Sequence, residues 1–182
     1  MRLFVAIPLS EEATRELGET VARMRKRPGA EELRWSPPES WHITLQFLGN
    51  VAAEEYACLL ERLRVARASP VKIAPQKIGA FGRAGILHVE VEPTPELLEL
   101  EGRVTAATSQ CGFTREDRPY RPHITFARRQ GRSSRNGIAS TSEKSREMKP
   151  FTGFTAAEFA LYESFLGGAA RYEIRQRFPL VR

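Results

Sequence analysis

The chain has 182 residues, of which 41% are apolar and 27% charged, enough for one good core or for two small lobes sharing one. A formal charge of +6 and a pI near 9.7 favour an anionic partner, although charge by itself reports attraction and says nothing of chemistry. No stretch approaches the apolar length that crosses a membrane, so a membrane-spanning reading is set aside.

Arg2 to Pro8 is nearly all apolar and reads as a strand buried on both faces, the first strand of a cytoplasmic protein and not a leader. Ser10 caps a helix that runs to about Lys26, with Glu11 and Glu12 in the first turn and Leu17, Val21 and Met24 as its apolar stripe. Pro28-Gly29 stops it. Leu33 to Trp35 is a short strand, and Pro37-Pro38 forces an extended turn before a strand over Trp41 to Gly49. Ala53 to Ala68 is a second amphipathic helix, buried through Tyr56, Leu59, Leu60 and Leu63.

Val71 to Ile78 and Gly85 to Glu92 alternate as two strands, joined by a turn over Gly79 to Arg83. Thr94-Pro95-Glu96 opens a third helix, ended near Cys111 by Gly112. Phe113 to Pro119 leads into a strand over Tyr120 to Arg128. Residues 131–149 are polar, Ser-rich and basic with no apolar period, the composition of a mobile surface loop. Phe154 to Ser164 and Tyr172 to Arg182 close the chain as two strands about a Leu166-Gly167-Gly168 turn. The order implies an α+β fold, antiparallel-rich sheets with helices outside. Cys58 and Cys111 lie in helical stretches without a C-x-x-C spacing, and a reduced cytosolic pair is expected.

The chemistry is concentrated in WHITLQFLG (Trp41 to Gly49) and YRPHITFAR (Tyr120 to Arg128), each carrying His-Ile-Thr followed by an apolar residue. Side chains alternate along a strand, so His42, Thr44 and Gln46 share one face while Ile43, Leu45 and Phe47 take the other. His123 and Thr125 share a face in the same way. The imidazole and hydroxyl of each copy stand about 6.5 to 7 Å apart, spaced to grip different oxygens of one tetrahedral anion. A lone strand histidine is usually structural, but here two of the three histidines in the chain have a hydroxyl at plus two. A paired site follows. The third, His88, has Glu90 at that position and is expected to have a structural or surface role.

The doubled motif, together with RLFVAIPL, RWSPPESWHITLQFLG, KIGAFGR, RPYRPHITFARR and LYESFL, resembles the two-histidine phosphoesterases. Among these it is most similar to the RNA 2′,3′-cyclic phosphodiesterases, also called 2′-5′ RNA ligases, and the likeness covers nearly the whole chain. The resemblance implies one catalytic domain over residues 1–182, built as two lobes with sheets facing across a central cleft and one His-x-Thr on each wall. It implies hydrolysis of 2′,3′-cyclic phosphate RNA ends to 2′-phosphomonoesters, with reversible 2′-5′ ligation. It assigns His42 as general acid and His123 as general base, a choice that residue physics leaves open. Thr44 and Thr125 would donate to the non-bridging oxygens.

Arg128 matches a basic position after the family's second motif, yet on a regular strand it projects away from His123, so phosphate contact requires a bend. Tyr120 and Arg121 are weaker binding candidates. Histidine suits both proton transfers near neutrality. The histidines are accompanied by threonines and not by carboxylates or thiolates, so no metal and no cofactor are expected. No Walker-type loop for ATP occurs. The expected partner is cyclic-ended RNA, tRNA fragments among the candidates, bound by a cytoplasmic monomer. The rival readings are a non-catalytic RNA-end binding module and a phosphodiesterase for 2′-5′-linked oligonucleotides or small cyclic nucleotides.

Overall fold

A computed structural model of the chain describes residues 1–82, 84–130, 151–165 and 171–181. The expected loop over 131–149 and the turn at 166–168 lie outside the described residues, as does Arg83 of the expected Gly79 to Arg83 turn. The first third follows its residue chemistry closely: β1 (Arg2–Pro8), α1 (Glu11–Met24), β2 (Leu33–Trp35), β3 (His42–Asn50) and α2 (Ala53–Val65). Ser10 caps α1, its side-chain oxygen accepting from the Ala13 N–H at 3.1 Å.

Two expected strands are each divided. Val71 to Ile78 becomes β4 (Val71–Ile73) and β5 (Pro75–Phe81), and Phe154 to Ser164 becomes β8 (Phe154–Ala156) and β9 (Glu158–Phe165). The breaks fall at Ala74 and Ala157, where the chain leaves the main sheet so that β4 and β8 can pair with each other. Between them lie β6 (Ile86–Val91), α3 (Pro95–Ser109) and β7 (His123–Arg129), and β10 (Arg171–Pro179) ends the fold. The β5 strand runs through Phe81, so the hairpin turns later than its Gly-rich composition suggested.

The main sheet runs β10-β9-β1-β3-β7-β6-β5, with β2 also paired to β7, and every pairing in it is antiparallel. Its two halves meet only where Ile43 of β3 faces Ile124 of β7. Beyond that pair β2 takes over the edge of β7, from Ala127 to Arg129. The histidine strands are therefore neighbours that part immediately after touching, which opens a groove between two halves of one sheet.

One face of this sheet forms the core. Ile43, Leu45, Ile124 and Phe126 pack there with Leu17 and Val21 of α1, Leu59 and Leu63 of α2, and Leu97, Leu100 and Val104 of α3. The β1 strand is buried on both faces, as its composition implies: Leu3, Val5 and Ile7 enter this core, while Phe4 and Ala6 join Ala160 and Tyr162 in a second cluster. No helix among the described residues is long and apolar enough to cross a membrane.

One sequence-based expectation is corrected. Cys58 and Cys111 are not a reduced pair but a disulfide, with Cα atoms 5.8 Å apart and a sequence separation of 53. Their spacing carries no local signal, because α2 meets α3 only in the folded packing. The disulfide also removes the cytosolic-thiol argument that supported a cytoplasmic location.

Candidate active site

Both histidine side chains are held by the chain that leads into their strands. A short turn over Pro38–Ser40, set by the two prolines, aims the Ser40 carbonyl at His42, whose Nδ1 lies 2.8 Å away. At the second motif the Arg121 carbonyl lies 2.7 Å from Nδ1 of His123. A carbonyl oxygen only accepts, so each Nδ1 carries the proton and each Nε2 is left as the free, basic nitrogen. Sequence-distant histidines thus take the same tautomer by the same device, the carbonyl two residues upstream.

His42, Thr44, His123, Thr125 and Arg128 all line one cavity of about 420 Å³. Arg128 reaches it because β7 is not regular. Leu87 of β6 faces Ala127, while the next residue, His88, faces Thr125, so β7 carries one extra residue at this point. The bulge reverses the alternation and turns Arg128 onto the His123 face. The β3 strand does the same: Ala6 faces Thr44 and Val5 faces Gln46, passing over Leu45. The burial sequence along the first seven residues is identical in the two strands, two consecutive buried positions being followed by an exposed one at plus five.

This bulge corrects the face assignment for β3. Gln46, expected beside His42, is buried on the core side, where its side-chain oxygen accepts from the Thr108 hydroxyl at 2.7 Å. Phe47, expected in the core, is 58% exposed and lines the cavity. Phe47 and Arg128 therefore occupy matching places on opposite walls. A period-two reading cannot register an inserted residue, and nothing else in the sequence marks it.

Sequence reasoning also passed over Arg2, Phe4, Arg34 and Tyr172, which line the same cavity. Arg34 arrives through the pairing of β2 with β7, which sets it opposite Arg128. The two weaker candidates stand off the cavity. Tyr120 donates its hydroxyl to the Thr44 carbonyl at 3.0 Å and braces β3 from behind. Arg121 lies over the Phe81 ring, 5.7 Å from its centroid.

Burial lowers the pKa of His42 to about 4, the Ser40 carbonyl opposing and the charges of His123 and Arg128 adding to the shift. Rings of Phe4, Tyr162 and Tyr172 supply that dry surround, with centroids 4.7, 5.6 and 5.2 Å from the imidazole. His123 is lowered for the same first reason, with the Arg121 carbonyl opposing and Arg128 and Arg121 adding. Without a bound anion both imidazoles are neutral near pH 7. An anion in the cavity favours their charged forms.

The described lining carries two imidazoles, three guanidinium groups and several hydroxyls, and no carboxylate. Such a lining suits an anion and offers groups able to exchange protons with it. A metal ion is poorly served by this donor set, and no cluster of three metal-ligating side chains occurs among the described residues.

Residues 11–165 match the family model described as the 2′-5′ RNA ligase superfamily. An RNA 2′,3′-cyclic phosphodiesterase of Geobacillus stearothermophilus is 31% identical, the alignment covering 98% of this chain and 57% of that protein. A Bacillus subtilis protein of the same name is 30% identical over 97% of this chain and 95% of its own. The crystal structure of Escherichia coli LigT complexed with 3′-AMP superposes with a TM-score of 0.78 at 25% identity, covering 100% of this chain and 98% of that one. The chain thus belongs to the 2′-5′ RNA ligase superfamily and, within it, to the RNA 2′,3′-cyclic phosphodiesterases.

Proposed function

We propose that this chain hydrolyses RNA 2′,3′-cyclic phosphate ends to 2′-phosphomonoesters by general acid–base catalysis between His42 and His123, without a metal. The observation that carries the reading is the pair of like-held imidazoles, each with Nδ1 given to a backbone carbonyl and each lining one cavity with three guanidinium groups. His123 takes a proton from water as its oxygen bonds to phosphorus. The bond from phosphorus to the ribose 3′ oxygen breaks, and His42 delivers a proton to that oxygen. The order of roles rests on the family resemblance. Thr44 and Thr125 donate hydrogen bonds to the non-bridging oxygens, and Arg128 balances their charge. With an RNA 5′-hydroxyl in place of water, the same displacement, with His123 taking the hydroxyl proton and His42 protonating the departing 3′ oxygen, supports 2′-5′ ligation, and its reverse, with the two roles exchanged, cleaves that linkage. The halves of the sheet act as two lobes of one catalytic domain, each providing one imidazole and one hydroxyl.

The neutral state of both free imidazoles makes bound substrate part of the mechanism. A cyclic phosphate monoanion raises the pKa of whichever imidazole it contacts, so the acid gains its proton with the substrate in place. The test is incubation of an oligonucleotide ending in 2′,3′-cyclic phosphate with purified protein in excess chelator. The expected product is a 2′-phosphate end, absent with the His42→Ala, His123→Ala double variant. Full activity in that variant refutes the assignment, and salt-sensitive binding without turnover by the wild type identifies an RNA-end binding module instead. Turnover of 2′-5′ linkages or small cyclic nucleotides under the same conditions ranks the rival substrates.

A further inference from the structure

The two histidine strands differ in what lies beside them. On β1, Pro8 faces His42 and Ala6 faces Thr44. On β6, Glu90 faces His123 and His88 faces Thr125, so the third imidazole stands on the cavity side of the sheet directly behind the second motif. It is only 3% exposed. Phe81 stacks on one face with centroids 4.0 Å apart and planes 19° from parallel, and the His123 ring meets it nearly edge-on at 5.3 Å. The Phe81 ring also abuts His123 edge-on, at 5.0 Å.

Room for this arrangement comes from Gly79, paired with His88 across β5 and β6. A Cβ at that position would lie 2.9 Å from Nε2 of His88 and 2.8 Å from Oε1 of Glu90. Meanwhile Nδ1 of His88 is buried and makes no hydrogen bond of good geometry, the Ile86 carbonyl approaching it without completing one. A phenyl ring would fill the same volume and leave no polar atom stranded. The imidazole therefore calls for an explanation in function, and its neighbour is the imidazole on the second wall.

We propose that His88 is a positioning residue that acts through His123, holding that ring edge-on against the Phe81 stack and supporting, with its neutral nitrogen, the positive charge that His123 gains during turnover. The inference rests on the reading of His123 as a reacting imidazole. A neutral imidazole beside an imidazolium offers a lone pair and a large dipole where a hydrocarbon ring offers neither. His88 stays neutral because burial lowers its pKa to about 4, with the His123 charge adding to the shift, the Ile86 carbonyl opposing it and Arg121 adding a smaller part. The other charged groups around it are Glu90 on its own strand and Lys77 of β5, which lie 3.7 Å apart as an ion pair. His42 has no such companion; its supporting rings are those of Phe4, Tyr162 and Tyr172.

The experiment compares His88→Phe and His88→Asn with wild type on a cyclic-ended oligonucleotide. It follows kcat and KM across pH, the imidazole resonances of His123 by NMR, and the unfolding temperature. The phenyl variant is expected to unfold no lower than wild type, to keep KM within twofold, and to lose roughly five- to twentyfold in kcat, with the His123 titration displaced. The asparagine variant places a polar atom near the position of Nδ1 and is expected to recover part of kcat. It also keeps the test valid if the phenyl variant does not fold. A kcat within twofold of wild type in the phenyl variant with the His123 titration unmoved overturns the inference, as does a loss confined to KM or, where the phenyl variant does not fold, an asparagine variant that leaves both kcat and the His123 titration unchanged. If His123→Ala is itself fully active, the reading of His123 fails; if that variant is inactive while His88→Phe matches wild type, only the role of His88 fails.

Discussion

The β3 and β7 strands are two solutions to one problem. Both deliver an imidazole, a hydroxyl and, after a bulge, a plus-five side chain to the same cavity, and both hold Nδ1 with the carbonyl two residues upstream. They differ in the plus-five side chain and in the surround: Phe47 and a phenol- and phenyl-rich wall beside His42, Arg128 and a second imidazole beside His123. A shared backbone device thus sets the same tautomer on both imidazoles, while unlike neighbours give the two walls different surfaces.

The largest expected effect treats the walls as equals. His42→Ala and His123→Ala should each lower kcat by roughly 10² to 10⁴-fold, measured by single-turnover cleavage of a cyclic-ended RNA. A variant that loses less than tenfold would show that its wall only binds.

The pH dependence is expected to separate free from bound protein. One imidazole must carry a proton for turnover, and His42 is lowered to about 4 in the empty site, with His123 also lowered. Accordingly kcat/KM should fall as pH rises through neutrality, up to about tenfold per unit, while kcat holds to higher pH because the bound anion favours the protonated form. Coincident limbs for the two parameters would remove substrate-raised protonation from the mechanism. Stability has its own sign. His42 binds protons more readily unfolded, near pH 6.5, than folded, near 4, so stability is fully retained above about 6.5 and declines as pH falls toward 4. A urea titration series across that window checks it.

The unlike plus-five residues should fail differently. Arg128→Gln removes a charged donor to phosphate and is expected to lower kcat/KM by roughly 10- to 100-fold with a weaker dependence on salt. Phe47→Ala removes an exposed ring suited to a nucleobase, and is expected to raise KM about tenfold while leaving the salt dependence intact. Equal salt slopes in the two variants would erase the distinction between the walls.

The smallest effect on activity is expected from the disulfide. It lies between α2 and the end of α3, outside the cavity lining. Replacing Cys58 and Cys111 together by alanine should cost about 4 kcal/mol of stability by chain-entropy reasoning, read by denaturant unfolding, with kcat changed less than twofold at 25 °C. A large loss of kcat with an intact fold would mean that the disulfide carries the site as well as the scaffold.

How much of this was legible beforehand divides along the same line. His42, Thr44, His123 and Thr125 were readable because strand alternation and a repeated tripeptide are local properties of the chain. Helix starts at Ser10 and Thr94 were legible for a similar reason, since capping is decided within four residues. Phe47 and Gln46 were assigned to the wrong faces, and Arg128 was left needing a bend. One inserted residue in each strand accounts for all three, and a bulge is set by the partner strand.

The sequence by itself determined the α+β order, the two motif strands and the pairing of imidazole with hydroxyl on each, because these follow from side-chain periodicity and short-range hydrogen bonding. Only the tertiary structure decided that β3 and β7 touch at a single pair and then separate, that Arg34 and Arg128 stand side by side, that His88 backs His123, and that Cys58 reaches Cys111. The physical reason is that each of these depends on which distant segment lies next to which. That is settled by filling a common core, a property of the whole chain and of no stretch within it.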